Sequence, residues 1–315
     1  MNQSKFSLAD VLTILTALAF GFLCFLGANF YNLGNTTKSI TAAVIIAFLL
    51  FGTAYSAKLL KRTRVNFKTC VIWEVVLLIV FTLLFVFFTY MPFSHYFTVS
   101  AKQTVIVDKI QKSIAQAQNM FPAYETDAKS RMNLYKNNLE STIVNKLGNE
   151  SQYKKFGFIK DIPDDQQKSK KIQNINADLF PTNYSDVKTQ KGIKEVALNY
   201  LLQAKEATEN WKPVGIINVV VTIEDKSNEW KNILVDLYEI KEPGEEDPQE
   251  FIYPLKFEDV KQFFTKVEKP SVSALLIAFL MWALMVLSWI ATPRDTRFPG
   301  FKILFRKSGK TLNEL

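Results

Sequence analysis

Reactive side chains are scarce in this 315-residue sequence, which holds one histidine, His95, and two cysteines, Cys24 and Cys70. A single histidine excludes a metal site built on histidine pairs. Between residues 92 and 270 there is no cysteine at all, which excludes both a cysteine metal cluster and disulfide stapling there. A Ser-His-Asp relay would have to run through His95. That residue stands in "YMPFSHYF" among Tyr90, Phe93, Tyr96 and Phe97, and reads as one more ring of an interfacial aromatic belt. "GKT" at 309–311 fails as a phosphate loop because the required glycine, five positions before Gly309, is Leu304. The acidic run "EPGEEDPQE" (242–250) lacks the ligand alternation of a calcium loop and reads as an exposed turn. No catalytic, cofactor-binding or metal-binding residue is expected, and the chain is expected not to be an enzyme.

Acidic charge is missing in one part only. The chain is formally +8, yet residues 92–270 carry 25 Lys and Arg against 26 Asp and Glu. The excess therefore lies in short segments beside apolar runs. Those runs are Val11–Phe30, Ile40–Ala57, Val71–Met91 and Val272–Ala291. Each is close to the ~20 residues a helix needs to cross ~30 Å of hydrocarbon. Lys58, Lys61, Arg62, Arg64 and Lys68 fall between the second and third runs, and six more basic residues follow the fourth. Short basic loops stay cytoplasmic, so both termini and loop 58–68 are expected inside and residues 92–270 outside. The basic loop offers neither an aromatic platform nor a fold for nucleic acid, so none is expected as a partner. Anionic lipid headgroups are the expected contact of loop 58–68 and of the basic tail 292–315. Glu74 is the one charge inside a run. It is expected to reach the interface, to pair with Lys68 or Arg64, or to touch another membrane subunit.

Between the third and fourth runs the sequence divides again. Residues 92–148 read as a helical stalk. One apolar stripe runs from Ile106 to Phe121, is interrupted at Pro122, and is followed by a second through Tyr124, Ala128, Met132, Tyr135, Leu139, Ile143 and Leu147. Residues 149–191 show no sustained period and read as an irregular connection. A helix from Gly192 to Pro213 precedes "VGIINVVVTIED" and "WKNILVDLYEIK", which read as a β-hairpin. "FIYPL" (251–255) reads as a short strand and residues 257–269 as a last helix. The expected fold is thus four transmembrane α-helices (about 11–30, 40–57, 71–91 and 271–291) with an extracytoplasmic α+β domain (149–270) and a helical stalk inserted between the third and fourth.

This layout, together with the helix "AYETDAKSRMNLYKNNLE" (123–140) and its Tyr124, Arg131 and Tyr135, resembles the TssN proteins, inner-membrane components of the type VI secretion system of Bacteroidota. The resemblance implies a structural part of a trans-envelope complex that anchors a contractile injection machine. Its implied partners are the other membrane-complex subunits in an oligomeric assembly. Candidate partner contacts are Tyr124, Arg131, Met132, Tyr135, Leu139 and Ile143. Two other classes remain open: a membrane sensor reading a periplasmic ligand or partner, and an accessory subunit of a transporter. The topology is tested by single cysteines at Ser169 and Ser308 in a background without Cys24 and Cys70. An impermeant thiol reagent is expected to label position 169 and spare position 308 in intact cells; labelling of both overturns the assignment.

Overall fold

The structure is a computed structural model and describes residues 7–63, 67–245 and 250–293. It divides into two compact units, residues 1–103 with 262–315, and residues 104–261.

The first unit is built on long apolar helices: α1 (Leu8–Tyr31), α2 (Thr36–Arg62), α3 (Phe67–Phe88) and α11 (Val272–Ala291). Among the described residues four helical stretches are long and apolar enough to cross a membrane, the composition of a multi-pass membrane protein. The third stretch runs from Lys68 to Ala101, because α3 continues through a π-helical turn (Thr89–Phe93) into α4 (Ser94–Ala101). The turn is kinked at Met91, whose φ of −154° and ψ of 127° are extended. The cause is local: the ring of Pro92 disfavours helical backbone at the residue before it. Small residues set how closely the helices approach. A Cβ on Gly21 would lie 3.1 Å from Ala47 Cβ, so α1 and α2 nearly touch there. Gly27 sits directly under the Pro92 carbonyl oxygen and leaves no room for a side chain. Around these contacts Phe20 stacks on Phe93 and packs on Phe85, both at 4.7 Å between ring centroids.

The second unit is helical too, and the expected α+β domain is corrected. Among the described residues no strand is present. The stretch expected as a hairpin is one helix, α9 (Pro213–Tyr238), preceded by α8 (Ile193–Glu209). Its β-branched run "VVVTI" suggested strands, but β propensity is a weak prior against burial on one helical face. Ile216, Val220, Ile223, Ser227, Trp230, Leu234 and Tyr238 are buried at spacings of three and four, the period of a helix. The polar residues Lys226–Glu229, expected to form the turn, contain no glycine and simply lie within α9. "FIYPL" forms no strand. The connection 149–191 holds α6 (Glu150–Lys155) and α7 (Asp164–Leu179), and the expected helix at 257–269 shrinks to α10 (Lys261–Thr265).

The expected stalk is the spine of this same unit. Helix α5 (Gln103–Val144) passes unbroken through Pro122 over 42 residues, about 63 Å at 1.5 Å per residue. Its apolar face is buried from Ile106 to Leu139.

The contact at Gly27 gives a test of the membrane packing. Gly27→Ala forces a methyl group into the Pro92 carbonyl and is expected to cost about 1–3 kcal/mol. Gly52, with nothing within 4 Å of its would-be Cβ, is the control, and Gly52→Ala is expected to leave the melting temperature of the detergent-purified protein unlowered. Equal melting of Gly27→Ala and the parent overturns the contact.

Candidate functional site

Two polar clusters stand out, one in each unit. The first gathers the N-terminal ends of α1 and α3 and the C-terminal ends of α2 and α11. Asp10 is in the first turn of α1, where its carboxylate accepts from the Ser7 backbone N–H at 2.8 Å, a helix-start signature of Ser followed three residues later by an acid. The same carboxylate accepts from Lys58 Nζ of α2 and from the Ser288 hydroxyl of α11. Asp10 and Lys58 are only 2% and 3% exposed, so the pair is desolvated as well as bonded. Thr13 of α1 donates to the Met285 carbonyl of α11 at 3.2 Å. Lys61 of α2 donates to the Trp289 carbonyl at 2.7 Å and lies 4.3 Å from the centroid of that indole ring. Trp289 Nε1 in turn donates to Glu74 Oε1 of α3 at 2.8 Å. Each of the four helices thus contributes a polar side chain.

The sequence residues fall here unevenly. Lys58, expected in an exposed basic loop, lies in α2 and is buried against Asp10, because the helix runs past the apolar stretch to Arg62. Lys61 also engages the bundle, Arg62 and Lys68 are exposed, and Arg64 lies outside the described residues. Glu74 is 1% exposed and meets an indole of α11. Asp10, Ser288 and Trp289 escaped sequence reasoning. The signal for Asp10 was the Ser7–Asp10 pair just ahead of the first apolar run.

The second cluster is centred on Arg131 of α5. Its Nε and Nη2 donate to the two oxygens of Glu245 at 2.9 and 2.7 Å, a bidentate pairing. Nη1 donates to the carbonyl of Tyr238, the last residue of α9, and Nη2 also to that of Ile240. Arg131 therefore caps the C-terminus of α9, where the carbonyls lack helical partners and the helix dipole favours a cation. One turn along α5, Tyr135 donates its hydroxyl to the Pro243 carbonyl at 3.1 Å. Two turns the other way, Tyr124 donates to the carbonyl of Leu179, the last residue of α7, at 2.7 Å. Burial pushes both phenols well above the ordinary tyrosine value, so they remain donors. Glu245, expected in an exposed acidic turn, is instead the half-buried partner of Arg131.

The candidate contact residues are thus largely internal. Tyr124, Arg131, Tyr135 and Leu139 are buried within this unit, and Met132 and Ile143 are half-buried. The buried line passes through Arg131 and Thr142 where the apolar pattern pointed to Met132 and Ile143. Spacing of nearly four residues drifts off a face that repeats every 3.6. Val144 and Leu147, at the far end of the stripe, are 81% and 96% exposed.

His95 is buried, with Nε2 donating to the Phe264 carbonyl at 2.6 Å and its ring edge-on to Tyr31. Among the described residues, no three His, Cys, Asp or Glu side chains converge to hold a metal ion. Compared with family models, curated proteins and solved structures, the chain matches none of them.

The buried pair gives a direct test. Lys58→Met leaves Asp10 charged and unpaired, and is expected to cost about 3–5 kcal/mol of stability. Adding Asp10→Asn is expected to recover most of that loss, because the stranded charge goes with its partner. Melting of the two single variants and the double in detergent closes the cycle; additive losses overturn the pairing.

Proposed function

We propose that the chain is a non-enzymatic structural subunit of a trans-envelope complex in a bacterial inner membrane, and that this complex anchors a type VI secretion machine of the kind that the TssN resemblance implies. The observation that carries the structural part is the use made of buried charge. Asp10, Lys58, Glu74, Arg131 and Glu245 all bond to the protein's own helices, and every one of these bonds closes one element on another. The secretion part rests on the stretch around Tyr124, Arg131 and Tyr135 and on the order of the spans.

The Lys and Arg asymmetry supports cytoplasmic termini and a periplasmic position for residues 92–270. Contact with anionic headgroups falls to the exposed Arg62 and Lys68 and to the basic tail, since Lys58 and Lys61 are engaged by the bundle. Neighbouring subunits have apolar helix surface to pack on in the membrane. On α3, Ile72, Trp73, Leu83, Val86 and Phe87 are all more than half exposed. Such surface contacts lipid or other helices. In the outer unit a partner would meet Leu134, Val144 and Leu147, because Tyr124, Ala128, Tyr135 and Leu139 are inside the fold.

Purification of the tagged chain in mild detergent is expected to bring down other membrane-complex subunits, and deletion of its gene is expected to abolish secretion-dependent killing of neighbouring bacteria. Normal killing by the deletion strain refutes the secretion reading. Recovery of the chain alone, under conditions where the remaining subunits stay associated, refutes the scaffold reading.

A further inference from the structure

Where α5 ends, a cleft of about 650 Å³ opens between the residues that follow it, α6 and the start of α7. That volume falls within the ~300–1,000 Å³ of small-molecule sites. One wall is the segment 159–163, pinned from behind by the buried Gln167. The Gln167 amide donates to the Ile159 and Ile162 carbonyls, both at 2.8 Å, and its oxygen accepts from the Ile159 N–H at 2.9 Å. Asp164, the first residue of α7, ties this wall to the other two: it accepts from the Tyr153 hydroxyl at 2.5 Å and from Lys146 Nζ at 2.7 Å. The cleft is therefore built before a ligand arrives. The rest of its lining is exposed and mixed in sign. Glu150 meets Lys160 Nζ at 2.8 Å, with more than half of both side chains in solvent, and Asp161 is exposed beside them. Leu147 and Ile162 put two exposed aliphatic side chains at the same cleft. Four residues before Lys146, Thr142 is 2% exposed and its hydroxyl has no hydrogen-bond partner among the described residues, although buried hydroxyls are ordinarily bonded.

We propose that this cleft binds a short free peptide, taking its carboxylate on Lys160, its ammonium group on Glu150 and Asp161, and an aliphatic side chain on Leu147 and Ile162.

Charge decides the class of ligand. A ligand of one sign would take one member of the Lys160–Glu150 couple and strand the other. A zwitterion replaces both partners together, and opening an exposed pair costs little because such a pair contributes little. The Asp164 carboxylate is not part of this exchange, since both its oxygens are engaged by the frame. Leu147 and Ile162 gain only from a ligand that brings apolar surface to cover them. The unbonded Thr142 hydroxyl beside the lining favours one that also carries N–H and C=O groups, as a peptide backbone does. The terminus of a partner protein would bring one charged end, whereas a free peptide brings both. The inference stands whether or not the secretion reading holds.

Calorimetric titration of the full-length protein in detergent with the tripeptide Ala-Leu-Ala tests this directly. Saturable binding is expected, with a Kd on the order of 0.1 mM for a ligand of that size. Amidating the peptide's carboxylate or acetylating its amine is each expected to weaken binding about tenfold or more, the loss of one charge-assisted contact. Lys160→Ala is expected to lose as much, and to bind the amidated and the free peptide alike. Leu147→Ser is expected to weaken binding severalfold. Both variants should melt like the parent, because the two side chains are mostly in solvent. Lys205→Ala, which opens an exposed pair within α8, is the control and is expected to bind like the parent. Failure of the parent to saturate overturns the proposal, a result that requires no variant to fold. So does equal binding of either capped peptide, which would transfer the cleft to a protein terminus or an uncharged ligand. Parent-like affinity in both Lys160→Ala and Leu147→Ser removes the peptide from this cleft.

Discussion

A charge taken out of water must find its partners inside the protein, and both units are organised around that constraint. In the membrane unit Asp10 and Lys58 are almost fully buried, one at the start of α1 and the other near the end of α2. An isolated ion in that setting costs several kcal/mol, and so does a slip that separates the pair. The pair thus fixes how far α1 is drawn along α2, and the Ser288 hydroxyl extends the same constraint to α11. Apolar packing alone would not do this, because Leu-rich helices slide past one another at little cost in a medium as apolar as themselves. Gly21 and Gly27 add the steric half of the specification, bringing backbones together at the Ala47 and Pro92 contacts.

In the second unit Arg131 plays the equivalent part. The residue sits on the buried face of α5 in line with Tyr124, Ala128, Tyr135 and Leu139. Four of its five N–H donors are matched by the carboxylate oxygens of Glu245 and by the carbonyls of Tyr238 and Ile240 at the end of α9, so its burial leaves little unsatisfied. Tyr124 repeats the device at the end of α7. A single long helix thus caps two others from the side, which orders their ends without dedicated turn motifs. Around these caps, aromatic rings close the core, with Tyr124 meeting Phe180, Tyr184, Tyr238 and Phe251 within 6.2 Å between centroids.

These two devices also explain what could be read in advance. The spans were legible because about 20 consecutive apolar residues admit few other structures. The buried face of α5 was legible in part, since Tyr124, Ala128, Tyr135 and Leu139 are apolar or aromatic and follow one another at one or two helical turns, four, seven and four residues apart. Arg131 interrupted that pattern because a charged residue is excluded from any search for apolar periodicity, although its partners make it a core residue here. Likewise Lys58 was grouped with its exposed neighbours by charge alone; only the position of Asp10 on another helix removes it from solvent. The α9 error had a different origin. Val219, Val220, Val221 and Ile223 favour strands locally, while the choice was made by the long-range fit of Ile216, Ile223, Trp230 and Leu234 to the helices beside them. The connection 149–191 hid α6 and α7 because α7 buries only Gln167, Ile175 and Leu179, too few positions to announce a period.

The same polar residues bear on the competing classes of function. Ionisable groups within membrane helices commonly mark a path for ions or substrate. Such a path needs groups that can exchange partners as cargo passes. Asp10, Lys58, Ser288, Lys61, Trp289 and Glu74 instead form a chain in which each side chain bonds to the next helix at one end of the bundle. Farther along, the interior between the same helices is filled by Phe20, Phe81, Phe85, Phe93, Leu50 and Ile46. A polar clasp at one end followed by a packed aromatic interior leaves these ionisable groups engaged within the protein, which fits the proposed scaffold better than a transporter subunit.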